Sequence, residues 1–352
     1  MLRRISNLLE RASQGRPMVG MSPADAIHHE NKWRLLHYRP DPEAKRLDCA
    51  PILMVPSLIN RHYVLDLMPG KSFVEYLLYR GHDVYIIDWG TPEDEDRFLT
   101  FDHFCWHYLG RAVRKVAGRS PDGKVHLLGY CLGGTLTTIY AALDSQHIAS
   151  MVTLAAPVDF HDDGLLSTWS NLPSLDLDAL VDGTGNIPWP LMQFGFHLLR
   201  PTMNLSKTVY MLDRAWDDQF LDGFFALETW GNDNVCFPGE AFRKYIGDLY
   251  QRNLLVKEAF SIAGQTVRLK NIAAPTLAIS FTHDHIVPPE SVRALMDHID
   301  PAFGEHLQLH GGHVGAVVSS KASKNLWPII SDYYLGAEAR STAPEESTKC
   351  AI

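Results

Sequence analysis

The feature that most constrains this chain is a series of short, unbroken apolar runs separated by stretches with helical spacing. ILMVPSLI (Ile52–Ile59), VYIIDW (Val84–Trp89), VHLLG (Val125–Gly129), MVTLAA (Met151–Ala156) and TLAISF (Thr276–Phe281) are strand-sized and lack polar alternation. A strand wetted on one face alternates; a strand covered on both faces does not. Between these runs, Lys71–Tyr79, Phe101–Val116, Gly133–Leu143 and Glu290–His298 place apolar residues at helical intervals. Strands joined through helices pair in parallel, because only a crossover connection returns the chain to the same end of the sheet. The sequence therefore predicts an α/β fold on a mostly parallel, doubly wound sheet. A weaker run at Lys32–Tyr38 precedes this series; Glu305–Leu309 and a last helix to about Tyr334 complete it.

The rhythm is broken once. Residues 160–265 show no strand-sized run and are rich in large apolar residues, among them Trp169, Trp189, Phe196, Phe224 and Trp230. They read as a mainly helical cap inserted before the strand Thr276–Phe281, which divides the core into 31–159 and 266–336. Residues 1–30 read as an N-terminal leader whose first 12 residues form an amphipathic helix, with Leu2, Ile5, Leu8 and Leu9 on one side. Residues 337–352 are polar and aperiodic and read as a disordered tail.

One turn carries chemistry. Gly129-Tyr130-Cys131-Leu132-Gly133 lies between a buried strand and a helix, the pattern of a nucleophile elbow with cysteine at its apex. Such a turn forces its central residue into strained angles, and glycines on either side, here Gly129 and Gly133, remove collisions. Gly134 gives further room for the helix to pack on the strand. The turn also sets Cys131 at a helix N-terminus, where the dipole favours a thiolate. Five cysteines, scattered and without CxxC spacing, form neither a disulfide framework nor a structural zinc set.

The partners follow in the order expected for a nucleophile–acid–histidine triad. Asp284 comes after TLAISF and His313 after the strand ending at Leu309. Ligand sites in open parallel sheets lie at the strands' C-terminal edge, where all three fall. His310 competes with His313, and His285 adjoins Asp284; Gly311 and Gly312 favour His313 by letting its loop swing toward the elbow. Asp159 is the runner-up acid, and Asp88 reads as structural. An oxyanion hole needs two N–H donors. The Leu132 amide supplies one, and the loop after Ile52–Val55, at Leu58 or Ile59, supplies the other. Gly231-Asn232-Asp233-Asn234 reads as a loop.

The charge balance excludes other classes. Lys plus Arg number 32 against 41 Asp plus Glu, a net charge of −9, and no basic block exceeds Arg3-Arg4, so nucleic acid is not an expected partner. No apolar run is long enough for a transmembrane segment, and no export signal is evident, so the cytoplasm is the expected compartment.

On VPSLINRHYVLDL, GYCLGGT, GNDNVCFPGEAFRKYI, FTHDHIVPP and GGHVGAVVS, in this order, the chain resembles the polyhydroxyalkanoate synthases from about residue 30 to 335. The resemblance implies an α/β-hydrolase fold and an acyltransferase that polymerises (R)-3-hydroxyacyl-CoA, such as 3-hydroxybutyryl-CoA, into polyester with release of CoA. It maps the family's catalytic cysteine, aspartate and histidine onto Cys131, Asp284 and His313. It implies no metal and no bound cofactor, CoA thioester being a substrate. Only about 30 residues precede the core, which resembles the two-subunit synthases and implies a second, PhaE- or PhaR-like subunit. Residence at the surface of polymer granules and homo-oligomerisation are further expectations. Two other readings are a cysteine hydrolase on the same fold, either dienelactone-hydrolase-like or a depolymerising esterase, and a granule-binding protein with a relic site.

Overall fold

The computed structural model describes residues 2–13, 15, 17–199 and 203–342. Its strands are β1 (Ala24–Glu30), β2 (Trp33–Tyr38), β3 (Ile52–Val55), β4 (Val84–Asp88), β5 (Val125–Tyr130), β6 (Ile148–Leu154), β7 (Ser261–Ile262), β8 (Gln265–Thr266), β9 (Thr276–Phe281) and β10 (Gly304–Leu309). Eight of them form one sheet in the order β1-β2-β4-β3-β5-β6-β9-β10. β1 pairs antiparallel with β2, and β2 antiparallel with β4. Every other pairing in the sheet is parallel.

The unbroken apolar runs are the strands with both faces covered: β3, β4, β5 and β9 are buried at every position. Successive side chains serve opposite layers. Leu53 and Val55 join Tyr85, Ile87 and Leu127 beneath the helices Leu109–Ala117 and Leu132–Leu143. Ile52 and Met54 join Ile86, Leu128 and Val152 on the other face, under Phe73 and Leu77 of one helix and Trp327, Ile330 and Tyr334 of another. The helix expected over Phe101–Val116 opens with a π-helical turn at His103–Tyr108 before continuing as the α-helix Leu109–Ala117.

Both ends of the chain depart from the sequence reading. Within the expected leader, Ala24–Glu30 forms the edge strand β1. Its composition, ADAIHHE, gives no apolar period, because an edge strand is held by backbone pairing and by polar contacts such as the Arg111–Glu30 ion pair. The helix before it spans Leu2–Ser13 and reaches the 203–232 helices through Arg4–Asp213 at 3.3 Å and Arg11–Asp222 at 2.6 Å. The side chains of Leu2, Ile5 and Leu9 lie outside the described residues.

The expected tail begins too early. The last helix is Trp327–Thr342, so residues 337–342 are helical; residues 343–352 lie outside the described residues. Glu338 explains the continuation. Its Oε1 accepts from the Ala50 amide at 3.0 Å and lies 2.9 Å from Nε2 of the fully buried His126. Tyr334 donates to the Leu127 carbonyl at 3.0 Å. A single carboxylate that satisfies buried donors is invisible to any periodicity.

In the 160–265 stretch the helices are Leu165–Ser170, Leu177–Thr184, Trp189–Leu198, Met203–Asp213, Asp218–Asn232 and Gly239–Lys244. Contrary to the expectation of no strands, β7 and the first residue of β8 fall here, as a two-residue-long hairpin.

Glu338→Ala leaves the Ala50 amide without its acceptor and removes the carboxylate beside His126. It should lower unfolding stability by about 1–3 kcal/mol in urea titration, and Glu338→Gln, which keeps an acceptor oxygen, by less. Equal stability of all three proteins would contradict this account.

Candidate active site

Cys131 caps the helix Leu132–Leu143 at φ 55° and ψ −129°, a region that residues with a Cβ seldom enter. The glycines around it are dictated by close backbone approach. A Cβ on Gly133 would stand 2.0 Å from the Val55 carbonyl oxygen and 2.6 Å from that of Pro56. On Gly129 it would meet Gly134 Cα at 2.4 Å, and on Gly134 the Ala156 Cβ at 2.4 Å. The glycines thus make way for neighbouring strand and helix rather than for the cysteine itself, which refines the steric argument from sequence.

Asp284 follows β9 and His313 follows β10. His313 Nδ1 donates to Asp284 Oδ2 at 2.7 Å, and Asp284 Oδ1 accepts from the amides of Ile286 and Val287 at 2.9 Å each. Those two amides fix the carboxylate, which in turn fixes the ring. Tyr130 donates its hydroxyl to the His313 carbonyl at 3.2 Å, with the two rings 5.4 Å apart. Cys131 and His313 line the same narrow cavity. Burial alone would push the His313 ring down. Its interactions with Cys131 and the Asp284 carboxylate outweigh it and hold the ring up at about 10, from an ordinary 6.5. Two other thiols lie elsewhere in a different state: burial pushes Cys49 up to about 12 and Cys105 higher still.

The competing residues point elsewhere. His310 is exposed, 3.4 Å from the Thr282 hydroxyl and edge-on to His283. His285 is exposed as well. Asp159 accepts from Asn253 at 2.8 Å and from the His161 amide at 3.0 Å. Asp88 pairs with Arg34 at 2.5 Å and lies 3.3 Å from His62; burial would raise its carboxyl, but its contacts with His62 and Arg34 and the Gly90 amide hold it well below the usual range.

Two cavities meet at the cysteine. The broader, about 450 Å³, is lined by Cys131, Leu132, Trp169, Leu175, Phe237 and Tyr250, among others. The narrower, about 160 Å³, contains His313 with Asn60, Gln193, His197 and Asn234. Cys131, Ile59, Met192, Phe196 and Ile286 line both. Ile59 therefore faces the reaction space, whereas Leu58 is buried. The Leu132 amide opens its helix, where no i−4 carbonyl is available to it. Asn60, Gln193, His197 and Asn234 escaped sequence reasoning, since isolated polar residues carry no period. The GNDN motif was the one available signal, and it is not simply a loop: Gly231 and Asn232 end the helix Asp218–Asn232, and Asp233 and Asn234 follow it.

This architecture is that of an α/β-hydrolase-fold enzyme, and residues 50–316 match the family described as alpha/beta hydrolase fold. The solved BpoC protein of Mycobacterium tuberculosis H37Rv shares that fold and no more: TM-score 0.50, 17% identity, 90% of this chain and 100% of that one covered. Residues 13–77 match the Poly-beta-hydroxybutyrate polymerase (PhaC) N-terminus. The chain is 38% identical over 317 residues to the poly(3-hydroxyalkanoate) polymerase subunit PhaC of Allochromatium vinosum, covering 89% of this chain and 88% of that one. The PhaC subunit of Haloferax mediterranei is 36% identical over 331 residues, covering 94% of this chain and 66% of the relative's own length. The chain belongs to the PhaC family of poly(3-hydroxyalkanoate) polymerases, acyltransferases on an α/β-hydrolase fold.

A ring held up at about 10 keeps its proton below that pH and loses it above. Relative to the unfolded chain, with its ordinary 6.5, the ring's contribution to stability is fully present below pH 6.5 and disappears as pH rises through about 10. That proton places a positive charge beside Cys131. His313→Gln, which removes this charge, should therefore slow carboxamidomethylation of Cys131 at pH 7 by about tenfold or more. The gap should close as pH approaches 10. Equal rates at pH 7 would contradict the assignment.

Proposed function

We propose that this chain is the catalytic subunit that polymerises (R)-3-hydroxyacyl-CoA, with 3-hydroxybutyryl-CoA the first substrate to test, through an acyl-cysteine intermediate. The observation that carries the reading is a cysteine, in place of serine, at the apex of the elbow, facing a histidine braced by a doubly anchored aspartate. The Cys131 thiolate attacks the thioester carbonyl, and the oxyanion is met by the amides of Leu132 and Ile59. CoA leaves with a proton from His313. The 3-hydroxyl of a further unit then gives its proton to His313 and attacks the acyl-cysteine, forming an oxygen ester and freeing Cys131. Asp284 orients the ring and stabilises its charge. Exchange between thioesters changes free energy little, whereas transfer to an oxygen ester runs downhill.

Water at this site would divert the acyl group to free acid. Trp169, Met192 and Phe196, from the 160–265 segment, line the cavities around Cys131 and support its reading as a water-excluding cap. The helix Trp189–Leu198 exposes Phe194 and Leu198, neither of which lines the cavities at Cys131, while its exposed Trp189 and Leu191 stand in their walls. Together with relatives named as subunits, that favours docking on a second subunit or on the polymer granule surface. Among the described residues no helix is long and apolar enough to cross a membrane.

Incubation with 3-hydroxybutyryl-CoA, following free CoA and analysing the product, tests the reading: polymer supports it, and free acid supports a cysteine hydrolase. Cys131→Ala should abolish CoA release with the fold intact, and Cys131→Ser should slow it severely. Replacing His313 should cost about 10²–10⁴-fold, the usual worth of a positioned base. Substantial polymer from Cys131→Ala would sink the mechanism.

A further inference from the structure

Between the end of β3 at Val55 and the 3₁₀ turn His62–Leu65 the chain has no regular structure, yet Ile59 here faces Cys131. An anion-binding amide must be held to within a fraction of an ångström, because its value lies in being preorganised. The groups that hold this loop come from a distant part of the sequence. Trp230 donates its indole N–H to the Arg61 carbonyl at 2.9 Å. Asp233 accepts from Arg61 Nε at 3.2 Å with one oxygen and from the Tyr63 hydroxyl at 2.7 Å with the other. Asn234 Oδ1 accepts from Asn60 Nδ2 at 2.6 Å, and the backbones of Asn60 and Asn234 form an isolated antiparallel bridge. Asn234 is itself oriented by donating to the Gly231 carbonyl at 2.9 Å.

The turn therefore grips Asn60, Arg61 and Tyr63 in succession, just after Ile59. The buried Trp230 closes one end of the contact, while Asn60 and Asn234 lie in the wall of the narrow cavity beside His313. None of these groups bonds to Cys131, His313 or Asp284, so the clamp acts on the loop and not on the nucleophile pair.

We propose that Asp233 and Asn234 are positioning residues for acyl transfer, holding the Ile59 amide where the oxyanion forms and so making the cap and the oxyanion hole one mechanical unit. This rests on the acyl-cysteine reading above.

The test separates steps that build an oxyanion from one that does not. Acylation of Cys131 by p-nitrophenyl butyrate, read as the nitrophenolate burst, passes through an oxyanion; alkylation by iodoacetamide displaces iodide at a saturated carbon and needs only the thiolate. In Asp233→Ala and Asn234→Ala the burst rate, and kcat on 3-hydroxybutyryl-CoA, should fall about 10- to 100-fold with KM within about threefold. Alkylation should stay within about twofold of wild type, since no oxyanion is made. Asn234→Asp, which keeps the acceptor for Asn60, should recover most of the burst rate. An unchanged burst, or a burst and an alkylation that fall together, overturns the proposal. A wild-type protein that gives the burst but releases no CoA refutes the polymerase reading while leaving the comparison of variants valid.

Discussion

The contact on which the structure turns is the approach of the helix Leu132–Leu143 to the end of β3, where Gly133 leaves no room for a Cβ beside the carbonyls of Val55 and Pro56. That approach pins the helix to the sheet and leaves the connecting residue a single path, through positive φ. A lone strained residue costs of order 1–3 kcal/mol and persists only where its surroundings over-determine it. Here the buried neighbours on both sides of the turn do so, and the strain lifts the thiol out of the sheet into the space between two cavities. The same proximity brings the loop after β3 alongside the cysteine, so that the cysteine elbow and the loop bearing Ile59 share one steric origin.

Electrostatics completes what packing begins. A buried imidazole would ordinarily shed its proton, yet its interactions with Cys131 and the Asp284 carboxylate hold the ring up. The carboxylate does not drift, because the turn Asp284–Val287 closes on it with two amides. The proposed exchange of a proton in successive half-reactions would need this rigidity, since the ring would have to face the sulfur in one and a hydroxyl in the other. Tyr130, adjoining the nucleophile in sequence and the base in space, ties the two loops together through the His313 carbonyl.

Much of this was legible beforehand, for physical reasons that differ from place to place. Doubly covered strands announce themselves by composition, and Cys131, Asp284 and His313 each follow one. Asp284 bonds to His313, while His310 and Asp159 bond elsewhere. Edge strand β1 was lost because its residues face water or polar partners and carry no apolar signal. The helical span of 337–342 was lost because Glu338 looks like any surface glutamate until its buried partners are known. The turn at Asp233 and Asn234 was lost for the same reason: polar residues acquire meaning from what lies opposite, and sequence does not say what that is.

The C-terminal helix has a consequence for how the molecule comes together. Tyr334 bonds to β5 across 207 residues of sequence, and Glu338 to Ala50 across 288. Loops of that length close late, since their entropy must be met before the contact can contribute. The strand that ends in the cysteine elbow thus receives the last part of its cover, beside Phe73 and Leu77, only after the C-terminal helix has been synthesised. Until then an apolar face of the sheet waits for its lid of Trp327, Ile330 and Tyr334. One face of the cysteine elbow's scaffold therefore closes late, and transiently exposed apolar surface of this kind is what makes a partly folded chain prone to stick to its neighbours.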